Sequence, residues 1–171
     1  MKVGLFFGST TGNTEEIAEK IADELKNQSV DVEIQDVANI EPDALLEHDK
    51  LVLASSTWHD GQLQDDWSCI YDDLDSIDFS GKEVGLVGLG DQEGYSDTFL
   101  NSIGFLAKTI EDKGGKIIGK WSTEGYEFDE SDSLADDNHF YGLALDQENQ
   151  DDLTDDRIAN WVTQIKSEFS A

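Results

Sequence analysis

Apolar positions along the chain follow two alternating patterns. Short runs, several of them apolar nearly throughout, occupy "KVGLFF" (2–7), "VDVEIQ" (30–35), "KLVLASS" (50–56), "EVGLVGLG" (83–90), "GKIIGKW" (115–121) and "YGLALD" (141–146). Runs of that length and density read as strands of a parallel sheet covered on both faces. Between them apolar residues recur at helical spacing. Ile17, Ala18, Ile21, Ala22 and Leu25 share one stripe, as do Trp67, Ile70, Tyr71 and Leu74, and then Phe99, Leu100, Ile103, Leu106, Ala107 and Ile110. A last helix carries Ile158, Trp161, Val162, Ile165 and Phe169, with Thr154 as its expected N-cap followed by Asp155 and Asp156. The glycines of "DKGGK" (112–116) stop the third of these helices.

Strands that alternate with helices imply right-handed crossovers and an open α/β sheet with helices on both faces. One stretch breaks the rhythm. "STEGYEFDESDSLADDNHF" (122–140) is too polar for a core helix and too long for an ordinary connection, so it reads as an insertion into the last strand. At 171 residues the expected organisation is one domain over 1–171.

Composition narrows the partners. Thirty-nine acidic against eleven basic side chains give a formal charge of -28, which repels nucleic acid and anionic membranes and favours a basic protein partner. The surplus of carboxylates also fits a salt-rich cytoplasm, where screening relieves their mutual repulsion. The first apolar run spans five residues before polar loop chemistry begins, so neither a signal peptide nor a membrane span is expected there. Cys69 is expected as a small buried hydrophobe in a reducing, cytoplasmic setting. His48, His59 and His139 lack metal-ligand spacing; His48 and His139 are expected at the surface, and His59 lies in a loop with other chemistry.

That chemistry starts with "GSTTGNT" (8–14), directly after the first strand. Gly8 and Gly12 permit tight turns, while Ser9, Thr10, Thr11 and Thr14 offer hydroxyls. Asn13 with Glu16 three residues on looks like a capping box. Backbone N–H groups at a helix start hold phosphate without any cation. The nucleotide-triphosphate loop GxxxxGK[ST] and the dinucleotide fingerprint GxGxxG are both absent. Two more loops leave strands at the same edge, "SSTWHDGQLQDDW" (55–67) and "GLGDQEGYSDTF" (88–99), each presenting one aromatic residue, Trp58 and Tyr95. A flat ring stacked between these two, with its phosphate at residues 9–14, accounts for all three loops.

With "GLALDQENQDDLTDDRIANWV" (142–162), these motifs make the chain resemble the flavodoxins from end to end, and the insertion at about 122–140 resembles the loop of the long-chain form. The resemblance implies a flavodoxin-like three-layer sandwich with a five-stranded parallel sheet in the order 2-1-3-4-5. It implies non-covalently bound FMN, with Ser9, Thr10, Thr11, Gly12, Asn13 and Thr14 on the phosphate and Trp58 and Tyr95 on the two ring faces. Thr57, His59, Asp60, Gly61, Leu89, Gly90 and Asp91 would line the ring and its polar edge, with Asp97 and Asp146 approaching the ring edge or ribityl chain. The implied role is a low-potential one-electron carrier, not an enzyme, that shuttles between semiquinone and hydroquinone. A flavodoxin-like NAD(P)H-dependent quinone or FMN reductase is the alternative. A phosphoacceptor receiver domain of the same strand order would need acids where Gly8, Ser9 and Thr10 stand. Implied partners are basic redox proteins such as ferredoxin-NADP reductase, with photosystem I or another low-potential acceptor beside it, and the carrier is expected to be a monomer. In the family the peptide that contains Asp60 flips on reduction, and a non-glycine residue there makes the flip less accessible. The carboxylates of Asp60, Asp65, Asp66, Asp91, Glu93 and Asp97 would oppose the reduced, anionic flavin by roughly 2 kcal/mol in total at about 10 Å in water.

Overall fold

The structure, a computed structural model, describes residues 1–9, 12–58 and 62–169, with Trp58 described through its backbone only. Strand β1 (Lys2–Phe7) leads into helix α1 (Asn13–Asn27), followed by β2 (Asp31–Asp36) and β3 (Lys50–Trp58). A two-residue strand, β4 (Gln62–Leu63), folds back antiparallel on the end of β3 before α2 (Asp65–Leu74). Then come β5 (Glu83–Leu89), α3 (Asn101–Asp112), β6 (Lys116–Ile118), β7 (Trp121–Ser122), β8 (Leu134–Asp136), β9 (His139–Phe140), β10 (Leu143–Leu145) and α4 (Thr154–Glu168).

The parallel sheet runs β2-β1-β3-β5 and ends in a fifth position shared by two segments. β6 pairs with the first half of β5, Glu83 opposite Lys116, and β10 with the second half, Leu145 opposite Leu89. This is the expected order 2-1-3-4-5 with the last strand interrupted. The interrupting segment folds as a small antiparallel sheet, β7-β9-β8.

Period-two alternation along β1 and β3 divides the core into two layers. Val3, Leu5, Val52 and Ala54 pack with α1 and α4 through Ile17, Ile21, Leu25, Trp161 and Ile165. Phe6, Leu51 and Leu53 pack with α2 and α3 through Trp67, Leu74, Ile103 and Ile110. Among the described residues, the passage from β2 to β3 holds no α-helix. It is made by 3-10 turns at Val37–Asn39 and Pro42–Glu47, with Val37 and Leu45 buried against the α2 layer.

Three expectations about single residues are corrected. Cys69 is exposed, because it faces away from the stripe of Trp67, Ile70 and Leu74 that α2 buries. His48 is not at the surface: its side chain is 6% exposed, edge-on to Phe6 and 3.5 Å from a Glu33 carboxylate oxygen. Thr154 does not cap α4. A 3-10 turn, Asp151–Leu153, feeds straight into the helix, so Thr154 is its first residue and its hydroxyl donates instead to the side-chain carbonyl of Gln147.

Candidate functional site

The loops at the carboxyl ends of β1, β3, β5 and β10 enclose a cavity of about 330 Å³. That edge is where an open parallel sheet leaves a crevice, and the volume falls within the range of small-ligand sites.

One end is the start of α1. Gly12 occupies the N-cap position in a left-handed conformation (φ 91°) that an L side chain adopts only with strain. Among the described residues no side chain caps this helix, and Asn13 is its first residue, so the expected capping box is not formed. The Ser9 hydroxyl instead accepts the Gly12 N–H at 3.0 Å, closing the loop on itself ahead of the helix. A capping box would have used the very N–H groups that make a helix start an anion site. Asn13 and Thr14 line the cavity, and Thr14 is buried. Behind the loop, a Cβ on Gly8 would lie 2.1 Å from the Gln64 side-chain oxygen and 2.8 Å from Trp67, so the loop sits directly on the start of α2. Thr10 and Thr11 lie outside the described residues.

The floor is the end of β3, Ser56 and Thr57. Thr57 is fixed by two bonds to Ser102 at the head of α3, its hydroxyl donating to the Ser102 hydroxyl at 3.0 Å and accepting the Ser102 N–H at 3.2 Å. The ring of Trp58 and all of His59, Asp60 and Gly61 lie outside the described residues.

The opposite wall is the loop after β5. Leu89, Gly90, Asp91 and Tyr95 line it, and Tyr95 is 54% exposed at the mouth, an unusual setting for a tyrosine ring with only a core role. Asp91 Oδ1 accepts N–H bonds from Glu93 at 3.1 Å and Gly94 at 2.8 Å, and an amide bond from Asn149 at 2.8 Å. These bonds, the Gly94 N–H first, hold the Asp91 carboxyl below the usual 3.8 against the opposing effect of burial, which outweighs either of the other two bonds taken singly. A lowered folded value means that the turn is stabilised above the ordinary aspartate pKa and loses that stabilisation as pH falls through the folded value. Amide protection at Glu93 and Gly94, measured against the intrinsic exchange rate at each pH, is therefore expected to fall below about pH 4, within the acid range set by the ordinary carboxylate. An Asp91→Ala variant should lack this protection at every pH; a wild-type turn equally protected at pH 3 and pH 6 would contradict the assignment.

Asp97 is exposed and does not line the cavity, and Asp146 is fully buried behind it. Conversely, Ser56, Thr98, Phe99, Leu100, Gln147 and Glu148 line it without having been singled out from the sequence. For Phe99 and Leu100 the reason is plain: their apolar periodicity assigns them to a helix, but α3 starts only at Asn101.

The polar insertion backs this wall from outside. Three of its aromatic rings turn inward around Phe99, with ring centres 6.0 Å (Tyr126), 5.5 Å (Phe128) and 5.7 Å (Phe140) away. The N–H groups of Asp129 and Glu130 donate to the Ser96 carbonyl at 2.9 and 3.0 Å, and that of Asp132 to the Asn101 side chain at 2.7 Å. Tyr126 donates to the Ala144 carbonyl at 2.6 Å and lies under the guanidinium of Arg157, the chain's one arginine, 4.3 Å from its ring centre. Burial pushes the Tyr126 phenol up to about 12, with the Arg157 charge offsetting part of the rise.

The arrangement therefore offers helix-start donors at one end, an aromatic and apolar wall at the other, and a carboxylate-bearing rim. The flavodoxin family model matches residues 5–161 of the chain. A flavodoxin of Nostoc sp. is 49% identical over 168 residues, covering 98% of this chain and 97% of that one. Flavodoxin 1 of Escherichia coli is 45% identical, covering 97% and 93%. The crystal structure of Fusobacterium nucleatum flavodoxin bound to flavin mononucleotide superposes with a TM-score of 0.92 at 37% identity, covering 99% of each chain.

Proposed function

The chain belongs to the flavodoxin family, and on that premise we propose that it carries electrons one at a time, at low potential, on non-covalently bound FMN held in this cavity. The observation that carries the reading is the pairing of an uncapped helix start with an aromatic wall across one small-ligand-sized crevice. FMN has a phosphate for the first and a flat ring for the second, and it supplies the redox chemistry when bound.

The protein's own part is to bind, orient and polarise. Ser9 to Thr14 would hold the phosphate through N–H groups and hydroxyls at the positive end of α1. Leu89, Gly90, Asp91 and Tyr95 would shape one side of the ring pocket and Thr57 its floor, with Trp58 stacking from the strand opposite and the His59–Gly61 turn beside it. Carboxylates at or near the rim, Asp91, Glu93, Asp97 and Glu148, disfavour added negative charge in the pocket and so lower the potential at which electrons leave. The same charges would steer a basic partner to the mouth and exclude nucleic acid. Redox proteins are the partners; we place ferredoxin-NADP reductase first and photosystem I second. A reductase of this fold would need NAD(P)H to reach the ring, and no observation favours that reading. Among the described residues no helix is long and apolar enough to cross a membrane.

The test is to load the protein with FMN, reduce it anaerobically and follow electron transfer to a basic haem protein at rising ionic strength. The rate is expected to fall several-fold between about 0.01 and 0.3 M salt as screening shortens the reach of the rim charges. A chain that cannot be loaded with FMN, or that oxidises NADH unaided, would overturn the carrier; a rate indifferent to salt would overturn the steering.

A further inference from the structure

Asp146 follows β10 directly, is fully buried, and does not touch the cavity. Its carboxylate nevertheless collects five hydrogen bonds. Oδ2 accepts the N–H of Gln92 at 3.1 Å, the side-chain amide of Gln92 at 2.8 Å and that of Asn149 at 2.8 Å. Oδ1 accepts the N–H groups of Glu148 at 3.1 Å and Asn149 at 3.0 Å. The bonds continue outward. The Asn149 side-chain amide also reaches Asp91 at 2.8 Å, and the Gln92 side-chain oxygen accepts the Glu127 N–H at 2.7 Å.

We infer that Asp146 is a positioning residue for the ring-side wall of the cavity, a buried hub that fixes the loop after β5, the loop after β10 and the start of the insertion relative to one another. The inference rests on the proposed flavin site. None of these three segments is helix or strand where it meets Asp146, so backbone ladders do not set their spacing. A carboxylate suits the place because it has acceptors alone, about four lone-pair directions on two oxygens, and every group facing it here is a donor. Asparagine offers one acceptor oxygen and turns an NH2 towards donors. A buried charge that is left partly unpaired is costly, so the hub holds the loops in one arrangement rather than in several. Through Gln92 and Asn149 it reaches the turn that carries Asp91 and Tyr95, and through its own chain it reaches Gln147 and Glu148.

The test compares FMN with riboflavin, which lacks the phosphate, on the full chain stripped of flavin. In Asp146→Asn both should bind about tenfold more weakly or worse, because bonds to a charged hub are the stronger kind. The ratio of the two affinities should stay within about twofold of wild type, since the wall faces the ring and the phosphate lies at α1. The visible circular dichroism of the bound flavin should change with it, reporting a moved wall. Asn149→Ala, at an exposed position, removes the side-chain links to both Asp146 and Asp91 while keeping the backbone bond to Asp146, and should weaken both flavins about fivefold with the far-UV spectrum of wild type. That variant keeps the inference open to disproof even if Asp146→Asn does not fold. Unchanged affinities in the folded variants, or a loss confined to FMN, would overturn the positioning role. A wild-type chain that binds neither flavin would overturn the carrier reading itself, and the inference with it.

Discussion

Trp67→Ala is expected to lower the stability of the protein by about 3–5 kcal/mol and to erase much of its preference for FMN over riboflavin. The indole is fully buried in the layer between the sheet, α2 and α3. Its N–H donates to the Ala54 carbonyl at 2.8 Å, and the same carbonyl accepts the Gly8 N–H at 3.3 Å. Trp67 and Gln64 also occupy the space where a Cβ on Gly8 would stand. Truncation thus opens a large cavity, removes a buried donor and takes away the surface against which Gly8, at the start of the proposed phosphate loop, rests. For a domain of this size the melting temperature should fall by roughly 2–4 °C per kcal/mol. Trp67→Phe keeps most of the volume but not the donor, and should cost about 1 kcal/mol. Thermal denaturation and paired flavin titrations check both. A variant of wild-type stability with an unchanged FMN-to-riboflavin ratio would refute the coupling.

Gly142→Ala should cost about 3 kcal/mol, near the upper end for overpacking, although only one methyl group is added. A Cβ there would stand 2.0 Å from the Leu86 carbonyl oxygen and 2.6 Å from its carbon. Those atoms belong to β5, and neither can retreat without loosening the centre of the sheet. Relief must come from β10, whose pairing of Leu143 with Val87 starts at the next residue. Displacing β10 displaces Asp146, so FMN and riboflavin should weaken together, unlike the selective loss expected for Trp67→Ala. A melting temperature within about 2 °C of wild type would show that the strand absorbs the methyl group.

These two variants act on opposite ends of one cavity, and the contrast reflects how the site is built. The proposed phosphate end is local, since it lies between one strand and the next helix in the chain and Gly8 is backed by Gln64 and Trp67. The ring end is composite, with contributions from the loops after β5 and β10 and support from the insertion. Its cohesion depends on groups far apart in sequence, such as Gln92 with Asp146 and Asp129 with Ser96.

The two periodicities were enough to determine the alternating elements, the parallel sheet and the interruption of its last strand. That part is legible because a strand buried on both faces, or a helix with one apolar stripe, writes its environment into neighbouring residues. The loops at the carboxyl edge were legible too, through Gly12 and Tyr95, because backbone freedom and exposed aromatics are local signals; Asp91 followed only from the family resemblance. What the tertiary structure alone decided was which of these residues face the cavity and which support it. Asn13 starts the helix without capping it, Thr154 holds Gln147, and His48 is buried beside Phe6. Phe128 and Phe140 sit in a segment that is polar on average yet close around Phe99, and Asp146, which the resemblance placed near the ring edge or ribityl chain, is instead a buried hub. The physical reason is common to all of them. A side chain's partners at long sequence separation are chosen by packing and by the need to satisfy buried polar groups, and neither leaves a periodic mark on the chain.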